Sequence, residues 1–354
     1  MIRRPSLVLA FALLGAACTP AAPPPATSPP TVPASATPDQ GSPAAGSLTV
    51  YSGRSEELVG PLVERFEAAT GIDAQVRYGD TAELAALLLE EGTNTPADVF
   101  FAQDAGALGA VAAEGMLSEL PQPLLERVPA EFRSPSGEWV GVSGRARVVA
   151  YDSRELSAAE MPASIDAFTD PEWRGRIGWA PTNGSFQSFV TAYRLLEGEE
   201  AARAWLEGIQ ANEPRSFDSN SAIVQAIADG EIEVGFVNHY YLLRFLAEQG
   251  DDFPVRNHFF EGADPGALVN VAGAGILAAT DVQPAAQEFV DFLLAEEAQA
   301  YFATETYEYP LVSGMAGPEG QPPLESIEAP DIDLSDLSDL QGTLELLRSV
   351  GALE

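Results

Sequence analysis

Apolar positions run along this chain in two alternating rhythms. Leu48-Thr49-Val50-Tyr51 is a run of strand length, and Val59, Leu62, Val63 and Phe66 follow at i, i+3, i+4 and i+7, the spacing of one helix face. Gly71 stands just beyond as a helix stop. The pair then repeats: strand Ala74–Tyr78, helix Thr81–Glu91 with Leu84, Leu87 and Leu88 inward, strand Asp98–Phe101, and a helix through Leu108 and Val111. Such β-α-β-α-β alternation predicts a parallel sheet with helices on both faces. Ligands of such sheets bind beyond the carboxyl ends of the strands, which here carry residues 52–55, Gly79-Asp80 and residues 102–104.

The middle of the chain follows the same grammar. Trp139–Val142 and Val148–Tyr151 read as two strands. Ile177-Gly178-Trp179 is a strand feeding Pro181-Thr182-Asn183-Gly184-Ser185, and a helix then carries Phe186, Phe189, Val190 and Tyr193. Ser219-Asn220 caps a helix through Ile223, Val224 and Ile227. Glu233–Val237 is a strand, and Asn238-His239-Tyr240-Tyr241 opens the next helix. Ala267 to Ala279 reads as a long strand returning to the first lobe, followed by helix Pro284–Leu294, segment Ala298–Phe302 and a terminal helix Leu340–Val350.

The first 47 residues break the pattern. Arg3 and Arg4 precede an apolar run from Leu7 to Leu14, too short to span a membrane, and small residues lead to Cys18. Gly15-Ala16-Ala17-Cys18 resembles a bacterial lipobox, with leucine at Leu14, so residues 1–17 are expected to be a signal peptide and Cys18 a lipidation site. Residues 18–47 are rich in Pro, Ala, Ser and Thr, cannot bury a core, and are expected to form a disordered tether. The folded body is then expected outside the cytoplasm, in the periplasm or on the outer face of the membrane, held by lipid alone.

Composition narrows the chemistry. The 354-residue chain has 18 Lys+Arg against 53 Asp+Glu, a net charge of −35, and every basic residue is arginine. Without lysine there is no P-loop and no Schiff-base chemistry. Nucleic acid would be repelled by this charge. One cysteine precludes an internal disulfide, and no standard zinc spacing occurs. A 46% hydrophobic content supports full cores, and the length suggests two domains. Gly141-Val142-Ser143-Gly144 begins like a nucleophile elbow, but Arg145 replaces the final glycine and the elements run strand to strand, so a secreted hydrolase is disfavoured.

Three features remain as candidate chemistry. Tyr240-Tyr241 lies at a strand-to-helix junction that can turn both phenol oxygens toward one point, a hard donor pair suited to Fe(III); packing of one ring and hydrogen bonding of the other is the alternative. Asn183-Gly184-Ser185 opens a helix whose N–H groups could hold an anion, and Asn220 stands at another helix start; plain N-capping explains both as well. Arg145 and Arg147 could clamp an oxyanion or pair with carboxylates.

Read in order, residues 48–54 (LTVYSGR), 90–101 (EEGTNTPADVFF), 142–152 (VSGRARVVAYD), 170–190 (DPEWRGRIGWAPTNGSFQSFV), 235–245 (GFVNHYYLLRF), 264–277 (DPGALVNVAGAGIL) and 308–311 (EYPL) resemble the ferric-ion-binding proteins of bacterial ABC iron uptake across nearly the whole body. The resemblance implies an α/β type II periplasmic-binding-protein fold: two lobes, two hinge strands and a ligand cleft between. The expected lobes are residues 48–146 plus 270–318 and residues 147–269 plus 319–354. It implies Tyr240 and Tyr241 as ferric ligands, and Asn183, Gly184, Ser185, Asn220 and Asn238 around a synergistic carbonate or phosphate, with Arg145 facing it. Ser55 and Gln103 stand where many members carry a histidine and a glutamate, and Asn183 near where another branch carries a third tyrosine. Asp104 then remains as an additional carboxylate ligand. The implied protein is a monomer that passes Fe(III) to an ABC permease with its ATPase and catalyses nothing. An oxyanion or small organic anion is the alternative cargo.

Overall fold

The computed structural model describes residues 46–353. The expected signal peptide, Cys18 and the tether as far as residue 45 lie outside the described residues. Strand β1 (Ser47–Ser52) opens the body, followed by α1 (Glu56–Thr70), β2 (Asp73–Tyr78), α2 (Thr81–Glu91), β3 (Val99–Ala102) and α3 (Ala105–Ala113). Both β2 and β3 pair in parallel with β1, as the alternation predicts. Val59, Leu62 and Phe66 of α1 are buried in the core, and Gly71 closes that helix in the left-handed region at φ 73°, its N–H donated to the Glu67 carbonyl. Asp80 and Asp104, each at a strand's carboxyl end, cap α2 and α3 through their side chains. The loops that should carry a site are therefore pinned by the helices they start.

After the short α4 (Gln122–Leu125), the two strands expected around Val142 and Val148 are one buried strand, β4 (Trp139–Asp152). Ser143, Arg145 and Arg147 interrupt its apolar pattern because their polar side chains bond Glu308, the Gln103 carbonyl and Asn238 inside the fold. β4 changes partners midway. Its residues as far as Ala146 pair antiparallel with β9 (Val269–Ile276), with a register shift between Gly141 and Ser143; from Arg147 onward they pair with β7 (Val234–Asn238) and then β8 (Val255–His258). β9 is shorter than predicted, since Pro265–Ala267 forms a 3-10 turn before it. The second half contains β5 (Ile177–Trp179), α5 (Gly184–Glu197), α6 (Glu199–Ala211), β6 (Arg215–Ser216), α7 (Asn220–Ala228) and α8 (Tyr240–Gln249). The strand order β2-β1-β3-β9-β4-β7-β5-β6 thus makes two half-sheets that share β4. Helices α9 (Gln283–Leu293) and α10 (Glu296–Tyr301) and strand β10 (Tyr309–Pro310) return to the first half, where β10 pairs with β4 at Ser143 and Gly144.

The C-terminal segment touches both halves. Its 3-10 turn, Leu334–Ser338, packs on α3, while α11 (Leu340–Ser349) packs on α5, where Thr191 and Thr343 share a hydrogen bond of 2.7 Å. Two glycines of α3 permit the first contact. A Cβ at Gly109 would stand 2.3 Å from the Ser335 carbonyl oxygen, and one at Gly106 2.5 Å from that of Leu337. Gly109→Val should therefore lever this segment away and cost about 1–3 kcal/mol in urea unfolding, the usual range for overpacking; an unchanged midpoint would contradict this packing. Among the described residues, no helix is long and apolar enough to cross a membrane.

Candidate functional site

A cleft of about 970 Å³ opens between the half-sheets at the strand ends. Tyr240 and Tyr241, Asn183, Gly184 and Ser185, Ser55, Gln103, Asp104 and Arg145 all line it. The two remaining expected residues, Asn220 and Asn238, are buried behind this surface.

The tyrosine pair stands where β7 ends and α8 begins. Its rings stack with centroids 4.3 Å apart and planes 30° apart. Neighbouring residues on a helix normally point about 100° apart, so this stacking draws both phenols to one side. Tyr240 is buried; burial, then the adjacent Tyr241, raises its phenol above the ordinary tyrosine range, Arg145 opposes the shift, and Glu308 adds to it. Proton loss there needs a strong electrophile. Arg244 lies over both rings, its guanidinium carbon 4.8 Å from the Tyr240 centroid and 5.8 Å from that of Tyr241. In the sequence, the only signal for Arg244 is its i+4 and i+3 spacing from the two tyrosines.

On the same half, Asn183 caps α5, its Oδ1 accepting from the Ser185 N–H (3.1 Å), the Ser185 hydroxyl (2.6 Å) and the Asn220 amide (3.1 Å). The capping alternative is therefore realised, and the same bonds fix the polar cluster at the cleft wall. Asn238 and Asn220 act one layer behind. Arg147 donates to Asn238 Oδ1 (3.0 Å) and to the Ser185 hydroxyl (3.3 Å) and lies over the Phe189 ring. Full burial lowers its pKa to about 10, and the two tyrosines oppose that shift.

The opposite wall comes from the first half-sheet. The Thr81 hydroxyl accepts the Gln103 N–H (3.1 Å) and donates to the Gly53 carbonyl (3.4 Å), tying three loops together. Gly53 is required there, because a Cβ would lie 1.9 Å from that hydroxyl. The Gln103 side-chain oxygen accepts from Arg54 (3.0 Å), so it is already engaged. Asp104 spends one oxygen capping α3; burial raises its pKa, against the Ala107 N–H and Arg145. Ser55 precedes α1 without using its hydroxyl as a cap and is exposed in the cleft.

Among the described residues, neither Arg145 nor Arg147 pairs with a carboxylate, contrary to the ion-pair alternative. Arg145 donates to the Gln103 carbonyl, and its buried Nε has no partner among the described residues. Beneath it lies a buried charged layer: Arg54 donates twice to Glu308 (2.8 and 2.9 Å), and the Ser143 hydroxyl donates to the same carboxylate (2.5 Å). Burial pushes Glu308 upward, but Arg54, Arg145 and Ser143 outweigh it and hold the carboxyl below its usual range. Ser143 is fully buried and committed to this bond, which removes it as a nucleophile. Among the described residues, no group of three or more His, Cys, Asp or Glu could hold a metal ion. The cleft offers the Tyr240 and Tyr241 phenol oxygens to a hard cation, and Arg145, whose Nε has no partner among the described residues, shares the cleft as a donor for an anion.

Residues 94–331 match the family described as bacterial extracellular solute-binding protein. The chain is 34% identical to the major ferric iron-binding protein of Neisseria meningitidis serogroup B, over 86% of this chain and 92% of that one. Iron-bound HitA from Pseudomonas aeruginosa superposes with a TM-score of 0.79 at 33% identity, covering 86% of this chain and 99% of that one. Trichodesmium IdiA (FutA), solved with iron and citrate, gives 0.77 at 27% identity, covering 86% and 99%.

Proposed function

Because the chain belongs to the bacterial extracellular solute-binding proteins, which bind a solute without turning it over, we propose that its solute is ferric ion, delivered to an ABC permease and its ATPase. Tyr240 and Tyr241 bind Fe(III) as phenolates. Asn183, Gly184 and Ser185 hold a carbonate- or phosphate-like anion that completes the coordination, and Arg145 neutralises it, with Asp104 as an additional carboxylate. Asn220, Asn238 and Arg147 keep the anion wall in place. The lobes, residues 48–146 plus 270–318 and residues 147–269 plus 319–354, close over the ion and open on the permease. The protein works as a monomer outside the cytoplasm, anchored through lipid on Cys18.

The observation that carries this reading is the stacked tyrosine pair lining a cleft whose facing arginine has no carboxylate partner. The 34% identity to a ferric iron-binding protein supports the cargo, and the citrate in a relative supports an anion beside the metal. That unpaired arginine also favours a second reading, in which an oxyanion or small organic anion is itself the cargo. Thermal-shift assays with a ferric chelate, phosphate and small carboxylates separate the two. A shift and visible colour with iron are expected; a shift with the anions alone, equal with and without iron, would contradict the ferric reading.

Binding must also respond to pH. Each phenol releases its proton to bind Fe(III), so ferric affinity rises with pH, and the raised pKa of Tyr240 carries that rise to higher pH. The colour of the complex should fade as pH is lowered in an absorbance titration. Colour independent of pH would contradict phenolate ligation.

A further inference from the structure

His239 immediately precedes the tyrosine pair, is completely buried, and has every polar group occupied. Its main-chain N–H donates to the Ala146 carbonyl (3.0 Å), and its ring Nδ1 accepts the Ala146 N–H (3.2 Å). Its carbonyl accepts from the Asn257 side chain on β8 (2.8 Å). Its ring Nε2 lies 2.9 Å from the Tyr307 carbonyl, an acceptor, so Nε2 carries the proton and Nδ1 the lone pair.

The place of these bonds matters. Ala146 is the residue at which β4 leaves β9, and the next residue, Arg147, begins the pairing with β7. At Asn238 the β7 ladder ends, and α8 starts two residues later. A strand continuing there would supply a carbonyl to the Ala146 N–H; the His239 imidazole supplies the acceptor instead, which lets the chain turn into the tyrosine-bearing helix at once. On its far side, Tyr307 sits in the left-handed region at φ 59° and presents its carbonyl to the ring. The ring packs between Tyr309 (4.6 Å) and Tyr240 (5.8 Å).

We propose that His239 is the positioning residue of the metal site: its imidazole replaces a strand carbonyl at the crossover of β4 and, through the Tyr307 carbonyl, fixes where Tyr240 and Tyr241 stand relative to both half-sheets. The proposal rests on the ferric reading of the cleft. Its role differs from that of a ligand, since both ring nitrogens are engaged away from the cleft.

The test is a ferric citrate titration of the full chain, read by visible absorbance beside urea unfolding, for the wild type, His239→Leu, His239→Gln and Asn257→Leu. Loss of partners that orient metal ligands typically costs about 10–100-fold in affinity. His239→Leu should lose at least about tenfold and shift the absorption band. Glutamine, whose amide offers an acceptor oxygen and a donor NH2 group, should recover most of the affinity and the band. Asn257→Leu, which releases only the His239 carbonyl, should give a smaller loss and serves as the readout if His239→Leu does not fold. Variants that unfold more readily yet keep the wild-type affinity and band would overturn the positioning role alone. A colourless wild type would overturn the ferric reading together with it.

Discussion

Tyr241→Phe is expected to lower ferric affinity by at least about a hundredfold, beyond the 10–100-fold typical for losing a partner one layer out from a metal. The substitution removes one oxygen and leaves the apolar ring to stack on Tyr240. Stability of the metal-free protein should therefore change little, which separates ligation from packing. Tyr240→Phe should cost as much affinity, while relieving the buried phenol whose proton must leave for metal to bind. Competition against a ferric chelator measures the affinity, and the colour reports the ligand set. If either single variant retained wild-type affinity and colour, the pair would be core aromatics and the metal would be held elsewhere.

The largest effect on folding should come from Glu308→Ala. Arg54 and Glu308 are paired with side chains 0% and 1% exposed, and Arg145 adds a second positive charge to the same pocket. Removing the carboxylate strands buried cations, and breaking such pairs typically costs about 3–5 kcal/mol. Arg54→Met with Glu308→Leu removes both charges and should cost far less, because a well-packed apolar pair can replace a buried ion pair. Urea unfolding of Arg54→Met, Glu308→Leu and the double variant gives the coupling directly. Additive losses would mean that the pair is not the unit holding β10 against β4 and the first loop.

Much of this was readable from the chain itself. The repeat of strand-length runs and i, i+3, i+4, i+7 faces gave the parallel β1, β2 and β3 and the buried faces of α1, α5 and α7. Local rules also placed Asn183 and Ser219 at helix starts. What escaped depends on contacts between distant residues. Arg54 and Glu308 are separated by 254 positions, and neither has a local signature. β4 read as two strands because its polar middle satisfies buried partners. Asn220 and Asn238 resembled cleft residues, yet their amides face Asn183, Ser185 and Arg147 one layer back. The contact of residues 334–338 with α3 was hidden because its signal is two glycines where a carbonyl approaches, and only the fold reveals the approach.

With 53 acidic residues, the surface can hold Fe(III) loosely, so iron content alone decides nothing. The decisive measurement is anomalous diffraction at the iron absorption edge from crystals grown with ferric citrate. One strong peak is expected within bonding distance of both the Tyr240 and Tyr241 phenol oxygens, facing Asn183–Ser185 and Arg145. Peaks confined to surface carboxylates, or a cleft peak bonded to neither tyrosine, would contradict it.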